Sequence, residues 1–146
     1  MIEDDVTAEM KRHARSAVEM VMAEYGERME EAGLQLDFSE KTIGLVESLL
    51  DNLHKAGNNT EELVRKFSLL FGAYIGEMIR DCFPEAQWVA GENDEYGPGA
   101  PFLELKDIKL FPITWCYKRL YNGPQDSVVK KYLAFRAEID ARTSSG

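Results

Sequence analysis

The sequence predicts an α+β fold in a single domain. An N-terminal three-helix unit with a central apolar helix leads to a small antiparallel β-hairpin or three-stranded sheet, and two C-terminal helices follow. Three observations carry this prediction. Apolar residues recur at steps of three and four over residues 6–32 and again over 43–53. The stretch 67–79 is apolar nearly all the way round a helix. After Pro84 the pattern shifts to short strand-like runs divided by Gly and Pro.

The first helix carries Val6, Met10, Ala14, Ala17, Val18, Val21, Met22, Tyr25, Met29 and Ala32 on its apolar stripe, and Gly33 closes it. Leu34, Leu36 and Phe38 alternate with polar residues, which predicts a short extended segment entering a second helix at Ser39. That helix presents Ile43, Val46, Leu49, Leu50 and Leu53 and stops at Gly57, Asn58 and Asn59. Thr60 or Asn59 caps the third helix, over 61–82. Gly72 and Gly76 each cost that helix about 1 kcal/mol relative to Ala. They lie away from the stripe of Phe67, Phe71, Tyr74, Ile75 and Met78, so close approach of a second element is expected on their side.

Residues 87–90 and 102–105 read as the strands of a hairpin with a long tip over 91–101, and 108–111 as a third strand ended by Pro112. A short helix over 113–121 stops at Asn122, Gly123 and Pro124. A last helix covers 126–141 and leaves 142–146 as a frayed tail. The domain thus divides into a long N-terminal helix over 1–33, a core over 34–141 and the tail.

The chain has 146 residues, enough for one domain to bury a core without disulfides or a metal. With 45% hydrophobic and 29% charged residues it falls outside the disordered and disulfide-scaffold classes. The start is acidic and lacks the continuous apolar stretch of a secretory signal, so the cytoplasm is the expected compartment. Cys82 and Cys116, far apart and outside any Cys-x-x-Cys pair, are expected as reduced, mostly buried thiols, with a disulfide as the alternative. A spanning helix needs about 20 apolar residues, and the 67–79 stretch is shorter and broken by Ser68 and Glu77. No membrane partner is expected. The net charge of −9 argues against nucleic acid, which calls for a basic footprint. That charge is uneven: residues 1–105 hold 22 acids and nine bases, net −13, whereas 106–146 hold four acids and eight bases, net +4.

Glu77 is the lone charge in the apolar stretch. A carboxylate there must be solvated at a groove, paired, or neutralised. Two readings follow: a structural ion pair or hydrogen bond with Lys118, Arg119 or a Tyr hydroxyl, or a ligand-contacting or general-base role with Tyr74 beside it. Tyr74, Glu77, Lys118 and Arg119 therefore form the candidate ligand or structural polar site. The tip residues Glu92, Asp94, Glu95 and Tyr96 form a candidate partner-binding loop, an exposed aromatic among acids. That loop does not match the calcium-binding Asp-x-Asx-x-Asx-Gly spacing. His13 and His54 lie on different helices away from any Cys, a poor basis for zinc. Neither a metal nor a cofactor is expected, nor a catalytic residue, since nucleophile elbow, phosphate-binding loop and dinucleotide fingerprint are all missing.

The stretch Phe71-Gly72-Ala73-Tyr74-Ile75-Gly76-Glu77-Met78-Ile79, followed by Trp88, Phe111-Pro112, Lys118-Arg119-Leu120, Asn122-Gly123 and Asp126-Ser127, resembles a group of bacterial domains of unknown function. These share a Gly-x-Tyr-x-Gly-Glu helix, a Trp strand, and a Phe-Pro step leading to an Asn-Gly turn. The resemblance spans residues 34–133 and implies, by analogy with small cytosolic proteins near toxin or secretion systems, an immunity-like binder. The leading expectation is a noncatalytic acidic protein-binding module, immunity- or adaptor-like, whose partner has a basic surface. The alternative is a small ligand-binding domain or enzyme with a pocket around Glu77 and Tyr74. A homo-oligomer joined through the Gly72 and Gly76 face is a third reading.

Overall fold

The computed structural model describes residues 4–57, 59–91 and 100–145. Its order is α1 (Asp5–Glu31), a 3-10 turn (Glu40–Thr42), α2 (Ile43–Ala56), α3 (Glu61–Cys82), β1 (Gln87–Val89), β2 (Phe102–Leu105), β3 (Ile108–Leu110), α4 (Pro112–Asn122), a second 3-10 turn (Pro124–Asp126) and α5 (Val128–Ser145). The fold is α+β: five helices and one three-stranded antiparallel sheet in the order β1-β2-β3.

Local chemistry explains the boundaries. The Asp4 side chain accepts the Thr7 N–H at the start of α1. At its end Gly33 takes φ +71°, which lets the Leu34 N–H reach the Met29 carbonyl and the Gly33 N–H reach that of Glu30, a Schellman closure. Thr60 rather than Asn59 caps α3, accepting the Leu63 N–H at 3.2 Å. Asn59 instead donates to the Leu53 carbonyl at the end of α2. Pro112 ends no strand but opens α4, where its missing N–H costs nothing.

α3 is the central helix, flanked most extensively by α4 and α1, while α2 leans chiefly on α4 and α5. Its buried residues run round the cylinder, from Phe71 and Tyr74 to Ile75, Met78 and Ile79. The two α3 glycines admit two different neighbours. A Cβ at Gly72 would lie 2.5 Å from the Ile113 Cα, and one at Gly76 would lie 2.2 Å from Trp88 Cζ2. Their face is therefore filled by α4 and β1 of the same chain and is closed to a second subunit. In the sheet, Trp88 pairs with Leu103, and Leu103 with Leu110, which puts these three side chains on the buried face.

Several sequence expectations are corrected. The segment 34–38 links α1 to the first 3-10 turn outside any helix or strand, and its alternation does not carry through to burial. Leu36 is buried, Leu34 is exposed, and Phe38 turns the chain at φ +63°. Met22, assigned to the packing face of α1, is exposed, since it stands one residue, about 100° of helix turn, from the buried Val21. Helix α5 continues through residues expected to fray: Arg142 bonds Asp107 and Glu138, and the Thr143 hydroxyl donates to the Ile139 carbonyl. Both cysteines are free, but Cys82 is exposed at the last turn of α3 and only Cys116 is buried. Among the described residues no helix is long and apolar enough to cross a membrane.

Candidate functional site

The four residues of the candidate polar site do not converge. Tyr74 is fully buried in the middle of α3. Its hydroxyl accepts the Phe38 N–H at 3.0 Å and lies 2.8 Å from Thr42 Oγ1. Since Thr42 Oγ1 itself donates to the Ser39 carbonyl, the proton order is Phe38 N–H to Tyr74 O–H to Thr42 O–H to Ser39 C=O. Such a chain strengthens each of its bonds. The Phe38 ring stacks on the Tyr74 ring with centroids 4.5 Å apart. Together these contacts hold Phe38 in a conformation that a bulky side chain rarely adopts. Burial pushes the Tyr74 hydroxyl above its ordinary pKa, outweighing the opposing hydrogen bonds from Thr42 and Phe38. It is thus a neutral clamp on the 38–42 turn.

Glu77 lies one turn further along α3, with 12% of its side chain exposed. Its Oε2 accepts from Arg80 Nη1 and from Trp88 Nε1, both at 2.8 Å. Lys118 and Arg119, the partners suggested by charge polarity along the chain, are not involved. Arg80, at i+3 on the same helix, reaches the carboxylate first, and the Gly76 gap admits the Trp88 ring beside it. Arg80 also donates from Nε to the Ala86 carbonyl, so this cluster ties β1 to α3. Glu77 and Phe38 help line an open groove of about 400 Å³ between α1 and α3, together with Lys11, Arg15, Asp37 and Asp81.

Arg119 belongs to a separate cluster. Its side chain is 3% exposed on α4, donating from Nε to Glu47 and from Nη2 to Asp51 at 2.6 Å. Glu47 also accepts the Ser127 hydroxyl and the Val129 N–H, so three charges and a hydroxyl bind α2, α4 and the start of α5 together. Burial alone would raise the Glu47 carboxyl, but hydrogen bonds from Ser127, Arg119 and Val129 hold it below its usual value. Hydrogen bonds from Arg119 and Lys55 lower Asp51 likewise. Lys118, next in sequence to Arg119, is not part of this cluster's bonds. Glu92, Asp94, Glu95 and Tyr96 lie outside the described residues. Among the described residues no three His, Cys, Asp or Glu side chains are grouped to hold a metal ion.

No protein-family model, curated protein or solved structure matches this chain.

Sequence reasoning missed Glu47 and Asp51. Their spacing of four, beside the Val46 and Leu50 core stripe, places them on one edge of α2, where both reach Arg119 of α4. It also missed Glu40, which accepts from Tyr132 and Arg136 and anchors α5 to the first 3-10 turn. That contact joins residues 92 positions apart, and no local pattern signals it. At least four of the eight bases in residues 106–146 are spent on ion pairs. Arg119, Arg136 and Arg142 each pair with acids from other elements, and Lys131 pairs with Asp126.

Proposed function

We propose that this chain is a noncatalytic, acidic protein-binding module of the bacterial domain family its Gly-x-Tyr-x-Gly-Glu helix resembles, immunity- or adaptor-like and working in the cytoplasm. The observation that carries this reading is the use to which the buried polar groups are put. Tyr74, Glu77 and Arg119 each bond groups on other elements and hold the fold together, while acids at exposed positions of α1 stay available for a partner with a basic surface. Such charge speeds encounter and selects partners.

The test is affinity capture from the source organism with the tagged chain at low and high salt. A second bait carries Glu92→Lys, Asp94→Lys, Glu95→Lys and Tyr96→Ala. A protein partner retained at low salt and depleted by the loop changes supports the proposal. Capture of nothing by the unaltered chain at low salt overturns it.

A small-ligand reading is favoured by one observation: Glu77 does border the groove between α1 and α3. Tyr74 does not serve it with its hydroxyl, which is turned to Phe38 and Thr42. A thermal-shift fragment screen on the unaltered chain and Glu77→Gln separates the cases. Hits lost in a variant of unchanged stability support a ligand site, and a destabilised variant with unchanged hits makes Glu77 purely structural.

A further inference from the structure

A second groove, of about 420 Å³, opens between α1, α2 and α3 on the side where α2 leans away toward α4 and α5. Half-buried Met20, Tyr25, Leu53 and Phe67 wall it over a floor of Val21 and Phe71. It is the apolar counterpart of the charged groove at Glu77.

The last two turns of α1 adjoin it and carry Glu24, Glu27, Glu30 and Glu31 around a single base, Arg28. Glu24 stands in the groove wall, and Glu27 and Glu31 continue the same helix face at steps of three and four. All four are exposed, and among the described residues none of them makes an ion pair. Negative charge at a helix C-terminus opposes the helix dipole, so these acids work against the folding of α1. An apolar channel with an unneutralised acidic margin matches the helix-in-groove mode of recognition, in which spaced apolar anchors enter and flanking charges select the partner.

We propose that this groove docks a basic amphipathic helix of a partner protein, its apolar anchors between α1, α2 and α3 and its Lys or Arg side chains against Glu24, Glu27 and Glu31. The proposal rests on the protein-binding reading above and gives the partner its chemistry. A second copy of this chain is a poorer occupant, because it brings its own charge of −9 against the same acidic margin.

The test is a fluorescence-anisotropy titration of the full chain with a labelled helical peptide of about 18 residues, Leu at i, i+3, i+4 and i+7 and Lys on its flanks. Saturable one-to-one binding is expected, at least about tenfold tighter than that of a scrambled peptide of the same composition. Glu24→Lys with Glu27→Lys, and separately Ala23→Trp, which fills the groove from an exposed position without changing charge, each weaken it about tenfold. Equal binding of the scrambled peptide, an unaffected Ala23→Trp, or no saturable binding overturns the proposal. So does a sedimenting dimer that Ala23→Trp dissociates. A partner captured equally by Ala23→Trp leaves the module reading standing and removes only the groove.

Discussion

Among the described glycines Gly76 leaves the least room for a side chain, which makes Gly76→Ala a sharp test of the architecture. In an open helix this change gains about 1 kcal/mol of helix propensity. Here the new methyl would sit 2.2 Å from Trp88 Cζ2 and 2.3 Å from Cη2, well inside van der Waals contact. The indole must slide by more than an ångström, at a packing cost of about 1–3 kcal/mol. Its Nε1 is held 2.8 Å from Glu77, so sliding also gives up a charge-assisted hydrogen bond of about 1.5–3 kcal/mol. Net of the propensity gain, the variant loses about 3 kcal/mol, or about 1.5 M in urea midpoint at a slope of about 2 kcal/mol per molar. The assay is urea unfolding followed by far-ultraviolet circular dichroism and Trp fluorescence. Gly26→Ala is the internal control, since its methyl meets only Met22 Cε at 3.5 Å, an ordinary contact, and it should gain up to about 1 kcal/mol. A Gly76→Ala midpoint at or above that of the unaltered chain would refute the Trp88 placement and, with it, the Glu77 cluster.

Three further outcomes are expected. Arg119→Met strands Glu47 and Asp51, and because both are partly exposed the loss falls at the low end for a broken buried pair, about 3 kcal/mol by urea titration; an unchanged midpoint would mean the guanidinium holds nothing together. Glu47 and Asp51 have pKa values below their ordinary ones, so they stabilise the fold above their unfolded values of about 4 and release that stability as pH falls through the lower folded values. The urea midpoint should accordingly hold from about pH 7 to about pH 5 and drop below about pH 4, with a shallower drop in Arg119→Met; an identical acid limb in the two proteins would contradict the assignment. A disulfide-exchange reagent should modify Cys82 alone in the native protein and Cys116 only after denaturation. Partial desolvation against the end of α3, followed by the charge of Glu40, raises the otherwise exposed Cys82 thiol, so that reaction should be slow near neutral pH and accelerate as pH rises; rapid reaction of both thiols would show that α4 is not packed as described.

Much of the fold is written in short-range pattern. The three-and-four spacing of Met10, Ala14, Ala17 and Val21 decides an amphipathic helix because the α-helical repeat brings those positions to one side. Gly33 and Gly57 stop helices where φ must turn positive, and Thr60 starts one by taking an orphan N–H. Gly72 and Gly76 even announced that another element comes close. Which element came close was not legible, because Ile113 and Trp88 arrive from parts of the chain whose path only tertiary packing selects.

The same division governs the polar site. The sequence by itself determined that Glu77 sits on an apolar helix and needs a partner, and that the chain carries its acid early and its base late. Only the tertiary structure decided the pairs. Net charge per segment averages over many positions, whereas a bond requires two particular groups within about 3 Å. Glu77 therefore went to its helix neighbour Arg80 and to Trp88, Arg119 went to Glu47 and Asp51, and Arg136 went to Glu40. The acids those pairs leave over on the end of α1 stay exposed and oppose the helix dipole.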